Sequence, residues 1–93
     1  MTQLAFTASA LADLKRLRDF IAIHDPQAAQ RVSLRIRQAI GKLVVFPAIG
    51  RPVQDLEEVR ELVAGNYVVR YLHIEDEERI LVLRIWHGKE YRE

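Results

Sequence analysis

The side chains able to do chemistry gather in the second half of the chain and are mostly cationic: Arg51, Arg60, Arg70 and Arg84, then His87, Lys89, Tyr91 and Arg92. Guanidinium groups on neighbouring strands can hold a phosphate through paired hydrogen bonds. A nearby imidazole or phenol could relay the proton when an RNA 2′-hydroxyl attacks that phosphate. Arg70 as phosphate ligand with His87 or Tyr91 as proton carrier would make a metal-independent endoribonuclease. The same residues also have a structural reading. Arg60 can pair with nearby acids, Arg70 and Arg84 can line a sheet that meets a partner's carboxylates, and the tail can be merely solvated. Taken one residue at a time, scattered charges are weak predictors of catalysis, and the structural reading outweighs the catalytic one.

Other chemistries lack their signatures. The chain has no GxGxxG, P-loop, HExxH or G-x-S-x-G pattern, so phosphate cradles, zincin chemistry and a serine-hydrolase elbow are not indicated. The absence of cysteine removes disulfides, thiolate metal ligands and a cysteine nucleophile together. His24, His73 and His87 are too far apart for a sequence-local metal site. No cofactor and no metal are expected.

The elements that must position the arginines fit into one domain spanning residues 1–93, long enough for a single modest core. With 49% hydrophobic and 29% charged residues, the chain is neither disordered nor fibrous. Fourteen basic side chains against thirteen acidic ones give a net charge of +1, which does not suit a dedicated nucleic-acid binder. A local basic surface is still open, because bases concentrate between Lys15 and Lys42 while acids cluster at Glu57–Glu58 and Glu75–Glu78. No apolar run reaches the length of a membrane span, and the N-terminus does not read as a secretion signal. A complete, cytoplasmic protein is the expectation.

Leu4 and Phe6 alternate in a short first strand over 2–6. A helix capped by Thr7 or Ser9 follows, with Leu11, Leu14, Leu17 and Ile21 as its apolar stripe and Asp13, Lys15, Arg16 and Asp19 toward water. His24-Asp25-Pro26 ends it and starts a second helix, capped by Asp25, that runs to about Val45. Its buried stripe is Ala29, Val32, Ile36, Ala39, Ile40 and Leu43. Two prolines and a glycine make 47–52 an ordered loop or a hinge. The period then becomes strand-like over 59–63, 67–74 and 79–86, with turns at Ala64-Gly65-Asn66 and Glu75–Glu78. The fold class is α+β: an N-terminal strand, an antiparallel helical hairpin, then a three-stranded antiparallel meander (β-α-α-β-β-β).

A second hairpin symmetric about Asp76 and Glu77 sets Tyr67 opposite Trp86, Val69 opposite Arg84, Arg70 opposite Leu83 and Tyr71 opposite Val82. A single bulge would invert these faces. In that register Val68, Leu72, Ile74, Leu81, Leu83 and Ile85 share one face, and Tyr67, Val69, Tyr71, Val82 and Trp86 share the other. A helical hairpin covers only one face of a small sheet, so the second face calls for a copy, a partner segment or tolerance of exposure.

The motifs Pro47-Ala48-Ile49-Gly50-Arg51-Pro52, Val59-Arg60-Glu61-Leu62-Val63 and Tyr67-Val68-Val69-Arg70-Tyr71, with Ile80 through Trp86-His87-Gly88, carry a resemblance over nearly the whole chain. In order and spacing the sequence resembles the ParE branch of the RelE/ParE toxin superfamily of type II toxin–antitoxin systems. The resemblance implies a growth-inhibiting toxin in a hetero-oligomer with a ParD-like antitoxin, whose flexible tail wraps the toxin. ParE-like members are associated with poisoning DNA gyrase, whereas RelE-like members cleave mRNA on the ribosome. A member that keeps only antitoxin binding is a further alternative.

Residue by residue, Arg70 matches the sheet arginine that RelE-like nucleases use near the scissile phosphate, with His87 or Tyr91 in the tail's acid–base role. Glu90 falls where such nucleases carry another arginine, and a carboxylate there repels phosphate. That departure favours the ParE-like reading, in which no residue is catalytic. Candidates for contact with antitoxin or target are Leu11, Leu14, Arg51, Arg60, Tyr67, Val69, Arg70, Tyr71, Arg84, Trp86 and His87. Arginines beside an apolar sheet face suit an antitoxin segment that carries aliphatic side chains and acids.

Overall fold

Two side-chain caps set the helical half. In the computed structural model, which describes residues 2–88, Thr7 Oγ1 accepts the Ala10 N–H at 3.0 Å and starts helix α1 (Ala8–His24). Asp25 both ends α1 and begins α2 (Pro26–Val45). Its N–H donates to the Ile21 carbonyl at 2.8 Å, and its carboxylate accepts the Gln27 and Ala28 N–H groups at 3.1 Å each. Pro26 at the first helical position lacks only an N–H that no intrahelical carbonyl could use. The reversal between the helices is therefore compact and leaves them packed side by side.

The strands are β1 (Gln3–Phe6), β2 (Arg51–Pro52), β3 (Val59–Ala64), β4 (Tyr67–Ile74) and β5 (Arg79–His87). They form one five-stranded sheet in the order β1-β5-β4-β3-β2. The expected meander β3-β4-β5 is its centre, and two pairings extend it. β1 returns parallel to β5, with Phe6 opposite Val82, and Arg51–Pro52 adds a short antiparallel edge strand to β3. Gly65, at φ 63°, takes the first central place of the two-residue turn between β3 and β4, where a side chain would be strained.

The helical hairpin covers one face of this sheet. Ala10, Leu17, Ile36 and Ile40 from the helices pack on Tyr67, Val69, Val82 and Ile85, and Leu43 closes over Tyr71 and Ile80. Burial of each large aliphatic side chain contributes roughly 1.5–3 kcal/mol.

The hairpin register differs from the symmetric one at a single point. Tyr71 opposes Val82 as expected, but Arg70 opposes Arg84, Val69 opposes Ile85, Val68 opposes Trp86 and Tyr67 opposes His87. Leu83 is the extra residue of a β-bulge, and beyond it β5 is rotated by one position. Ile85 therefore turns into the core, while Arg84 and Trp86 turn to the opposite, uncovered face. Tyr67, Val69 and Tyr71 are on the helix-covered side, at 8%, 0% and 0% exposure, so Val69 and Tyr71 present no surface for a partner to grip.

Asp13 also departs from expectation. It is 4% exposed rather than facing water, because its place three residues after Ala10 and four before Leu17 puts it on the buried stripe of α1.

Candidate functional site: the open face of the sheet

Successive pairings set Arg51, Glu61, Arg70 and Arg84 in one row across four strands, on the face the helices leave uncovered. Val63, Val68 and Trp86 form the adjoining row on one side, and Val59, Leu72 and Leu81 the row on the other. Charge thus runs through the middle of an apolar strip. Within the row, Arg70 donates to Glu61 Oε2 from Nε at 2.9 Å and from Nη2 at 2.7 Å. Trp86 sits beside both neighbouring cations, with the Arg70 and Arg84 guanidinium carbons 5.1 and 5.4 Å from its ring centre, within cation–π range.

At the β5 end the row is closed by α1. Asp13 accepts from Arg84 Nε at 2.8 Å and Nη2 at 3.2 Å, and from the Ile85 N–H at 2.9 Å. Arg16 Nη2 lies 3.5 Å away on the same carboxylate. Burial alone raises the Asp13 pKa, but the Arg84 and Ile85 hydrogen bonds and the Arg84 charge outweigh it, and the carboxyl is held below its ordinary value.

Arg60 points to the other side of β3 and is a tie for the 47–52 segment, donating to the carbonyls of Gly50 at 2.7 Å and Ala48 at 3.3 Å. The Tyr71 hydroxyl works from beneath, donating to the Pro47 carbonyl at 2.7 Å and accepting the Gly50 N–H at 2.9 Å. The segment is an ordered loop leading into β2. Arg60 and Tyr71, both read from sequence as contact candidates, hold its backbone.

His87 pairs with Tyr67, and the two rings meet edge to face at 5.1 Å. Since directly paired residues share a face and Tyr67 lies under the helices, His87 and Arg70 project from opposite sides of the sheet. Tyr91 lies outside the described residues. Among the described residues, no group of three His, Asp or Glu side chains is arranged to hold a metal.

A groove of about 410 Å³ lies at the β1 edge, between that strand and the helices. Leu4, Phe6, Leu14, Ile36 and Ile40 line it, with Arg18 and Arg37 at its rim. Leu14 is thus placed where a partner could reach it, and Leu11, 55% exposed, stands on the outer side of α1.

The family model described as "ParE toxin of type II toxin-antitoxin system, parDE" matches residues 4–91, almost the whole chain. The chain belongs to the ParE toxin family. It is similar to Toxin RelE2 of Caulobacter vibrioides, 43% identical over 72 residues that cover 76% of this chain and 80% of the relative. Toxin RelE1 of the same organism is 33% identical over 85 residues, 89% of each chain. Among solved structures, the chromosomal ParDE TA system from P. aeruginosa contains a chain superposing with a TM-score of 0.78 at 25% identity, covering 94% of this chain and 96% of that one. The isolated RelE toxin of E. coli shares the fold, with a TM-score of 0.72 at 13% identity over 100% of this chain and 88% of that one. The α+β architecture of strand, helical hairpin and sheet is thus that of RelE/ParE toxins, and the chain is a type II toxin–antitoxin toxin of that family.

For this ParE-family toxin, the sequence reading missed the two carboxylates that organise the row. Asp13 was detectable as a charged residue at an apolar stripe position. Glu61 was detectable only through pairing, because nothing in Val59-Arg60-Glu61-Leu62-Val63 says which strand lies alongside.

Proposed function

We propose that this toxin inhibits growth by binding, engaging DNA gyrase through the open sheet face and stabilising its cleaved-DNA state, and that a cognate ParD-like antitoxin neutralises it. The observation that carries a binding action over an Arg70–His87 nuclease is the placement of Arg70 and His87 on opposite faces of the sheet. A phosphate held at Arg70 would lie on the face of the sheet opposite the His87 imidazole, whereas general acid–base catalysis needs hydrogen-bond reach. The Glu61 carboxylate on Arg70 adds to this, since it repels a phosphate at the same guanidinium.

The antitoxin segment suits the groove at the β1 edge, where aliphatic side chains would cover Leu4, Phe6 and Leu14 and acids would meet Arg18 and Arg37. Apolar rows around a cationic centre suit recognition of a protein or protein–DNA surface on the open face.

The test is accumulation of cleaved plasmid DNA by purified gyrase with the toxin, with and without ATP, beside a control lacking gyrase. Cleavage that requires gyrase and disappears on adding antitoxin is the expected result. Growth arrest with gyrase unaffected would move the action to another target. Ribosome-dependent mRNA cleavage is the second reading, favoured by the RelE names of the two Caulobacter relatives.

A further inference from the structure

β1 pairs with β5 only as far as Val82, and beyond that point the exposed edge of β5 needs other hydrogen-bonding partners. Two side chains of the α1 region supply them. Thr7 Oγ1 donates to the Leu83 carbonyl at 2.8 Å, and Asp13 accepts the Ile85 N–H at 2.9 Å. These two contacts bracket the bulged residues. Asp13 also grips Arg84 through both Nε and Nη2. In the regular register Arg84 would stand opposite Val69 and face the core, with Ile85 outward.

We infer that Asp13 is the positioning residue for the open face: it fixes the β5 bulge and thereby sends Arg84 and Trp86 outward to join Arg70. The carboxylate does two jobs. Its acceptance of the Ile85 N–H supports the backbone just after the extra residue. Its pairing with Arg84 holds that side chain at the strand edge, between α1 and Trp86, so that Arg84 does not take the place under the helices that Ile85 occupies. A residue on the buried side of a helix in this way sets which side chains appear on the far side of the sheet.

The structural part stands apart from the proposed function, whereas any effect on toxicity rests on the open face being the contact surface. The experiment compares the full-length protein with Asp13→Ala and Asp13→Asn by NMR, reading cross-strand contacts, Ile85 amide exchange, and the Arg84 Hε and Trp86 indole signals. In Asp13→Ala the Arg70–Arg84 and Val69–Ile85 contacts are expected to weaken in favour of the regular register, and Ile85 exchange to accelerate by about tenfold or more, as loss of a buried acceptor entails. Retention of the bulged register with Ile85 exchange within about twofold of the parent overturns the inference, because burial of Ile85 would then suffice to set the bulge.

Asp13→Asn keeps an acceptor and decides the matter if the alanine variant fails to fold. Ile85 should stay protected while the Arg84 and Trp86 signals move; unmoved signals there also overturn the inference. Growth inhibition measured on the same variants, beside Arg84→Gln, separates the two levels. A shifted register with full toxicity leaves Asp13 as the positioning residue and removes the open face as the target surface.

Discussion

Arg70 of β4 and Arg84 of β5 are direct cross-strand partners, each with its own carboxylate, Glu61 on one side and Asp13 on the other. Like charges placed opposite each other destabilise a sheet. Here the two acids, contributed by a third strand and a helix, offset the repulsion, and Trp86 lies against both cations.

Removing one of these acids exposes the repulsion. Glu61→Gln keeps an acceptor for Arg70 but leaves one counter-charge for two arginines. The expected cost is about 1 kcal/mol at low ionic strength, shrinking as salt is raised. Urea unfolding of parent and variant at two ionic strengths measures it; a loss that ignores salt would mean the effect is packing.

Acid should loosen the row from its other end. Folded Asp13 binds its proton more weakly than an unfolded aspartate, whose pKa is about 3.9, so its contribution to stability is complete above that value and disappears as pH falls through the lower folded value. Stability of the parent therefore declines below about pH 4, and Asp13→Asn loses part of that decline. Thermal unfolding across the acid range, parent against variant, shows whether the two curves converge at low pH.

Gly50 has no room for a side chain. A Cβ there would lie 2.7 Å from the Tyr71 hydroxyl, 2.8 Å from its ring and 2.9 Å from the Glu61 carbonyl. Two of these neighbours belong to a fully buried tyrosine and the third to backbone, so none can give way cheaply. Gly50→Ala is expected to cost roughly 1–3 kcal/mol, the usual range for overpacking. A denaturation midpoint equal to the parent's would show that the loop can move aside.

Tyr71→Phe tests the tie from below. It removes the acceptor of the Gly50 N–H and the donor to the Pro47 carbonyl, and should destabilise by about 1–3 kcal/mol while exposing the Gly50 amide to exchange. Burial raises the phenol pKa, more than the Gly50 N–H and the Arg60 charge lower it. The parent's stability should accordingly fall as pH rises above about 10, where an unfolded tyrosine ionises, and the phenylalanine variant should lose that component.

Purified ribosomes carrying mRNA should show no cleavage with the parent protein, leaving Arg70→Ala and His87→Ala no activity to remove. The placement of Arg70 and His87 on opposite faces carries this expectation. Cleavage by the parent that is lost in Arg70→Ala would instead establish the nuclease.

What the sequence determined by itself is what local periodicity and capping encode. Asp25-Pro26 fixes the helical reversal, the 3.6-residue stripe of α2 fixes its buried side, and the alternation in residues 59–87 fixes three strands with short turns between them. Those signals act over a few residues, so they survive without knowledge of neighbours. The bulge at Leu83 has no such signature, because it arises where β1 ends and Thr7 and Asp13 take over the edge of β5 from more than seventy residues away. That one long-range arrangement reverses the sides of Ile85 and Trp86 and separates Arg70 from His87, while packing of the helical hairpin buries Tyr67, Val69 and Tyr71. The parallel return of β1 and the Arg51–Glu61–Arg70–Arg84 row likewise exist only through strand pairing. The residue types were all visible in the chain, but their shared face was decided by tertiary contacts, since a one-residue shift in a period-two strand moves every side chain beyond it to the other side.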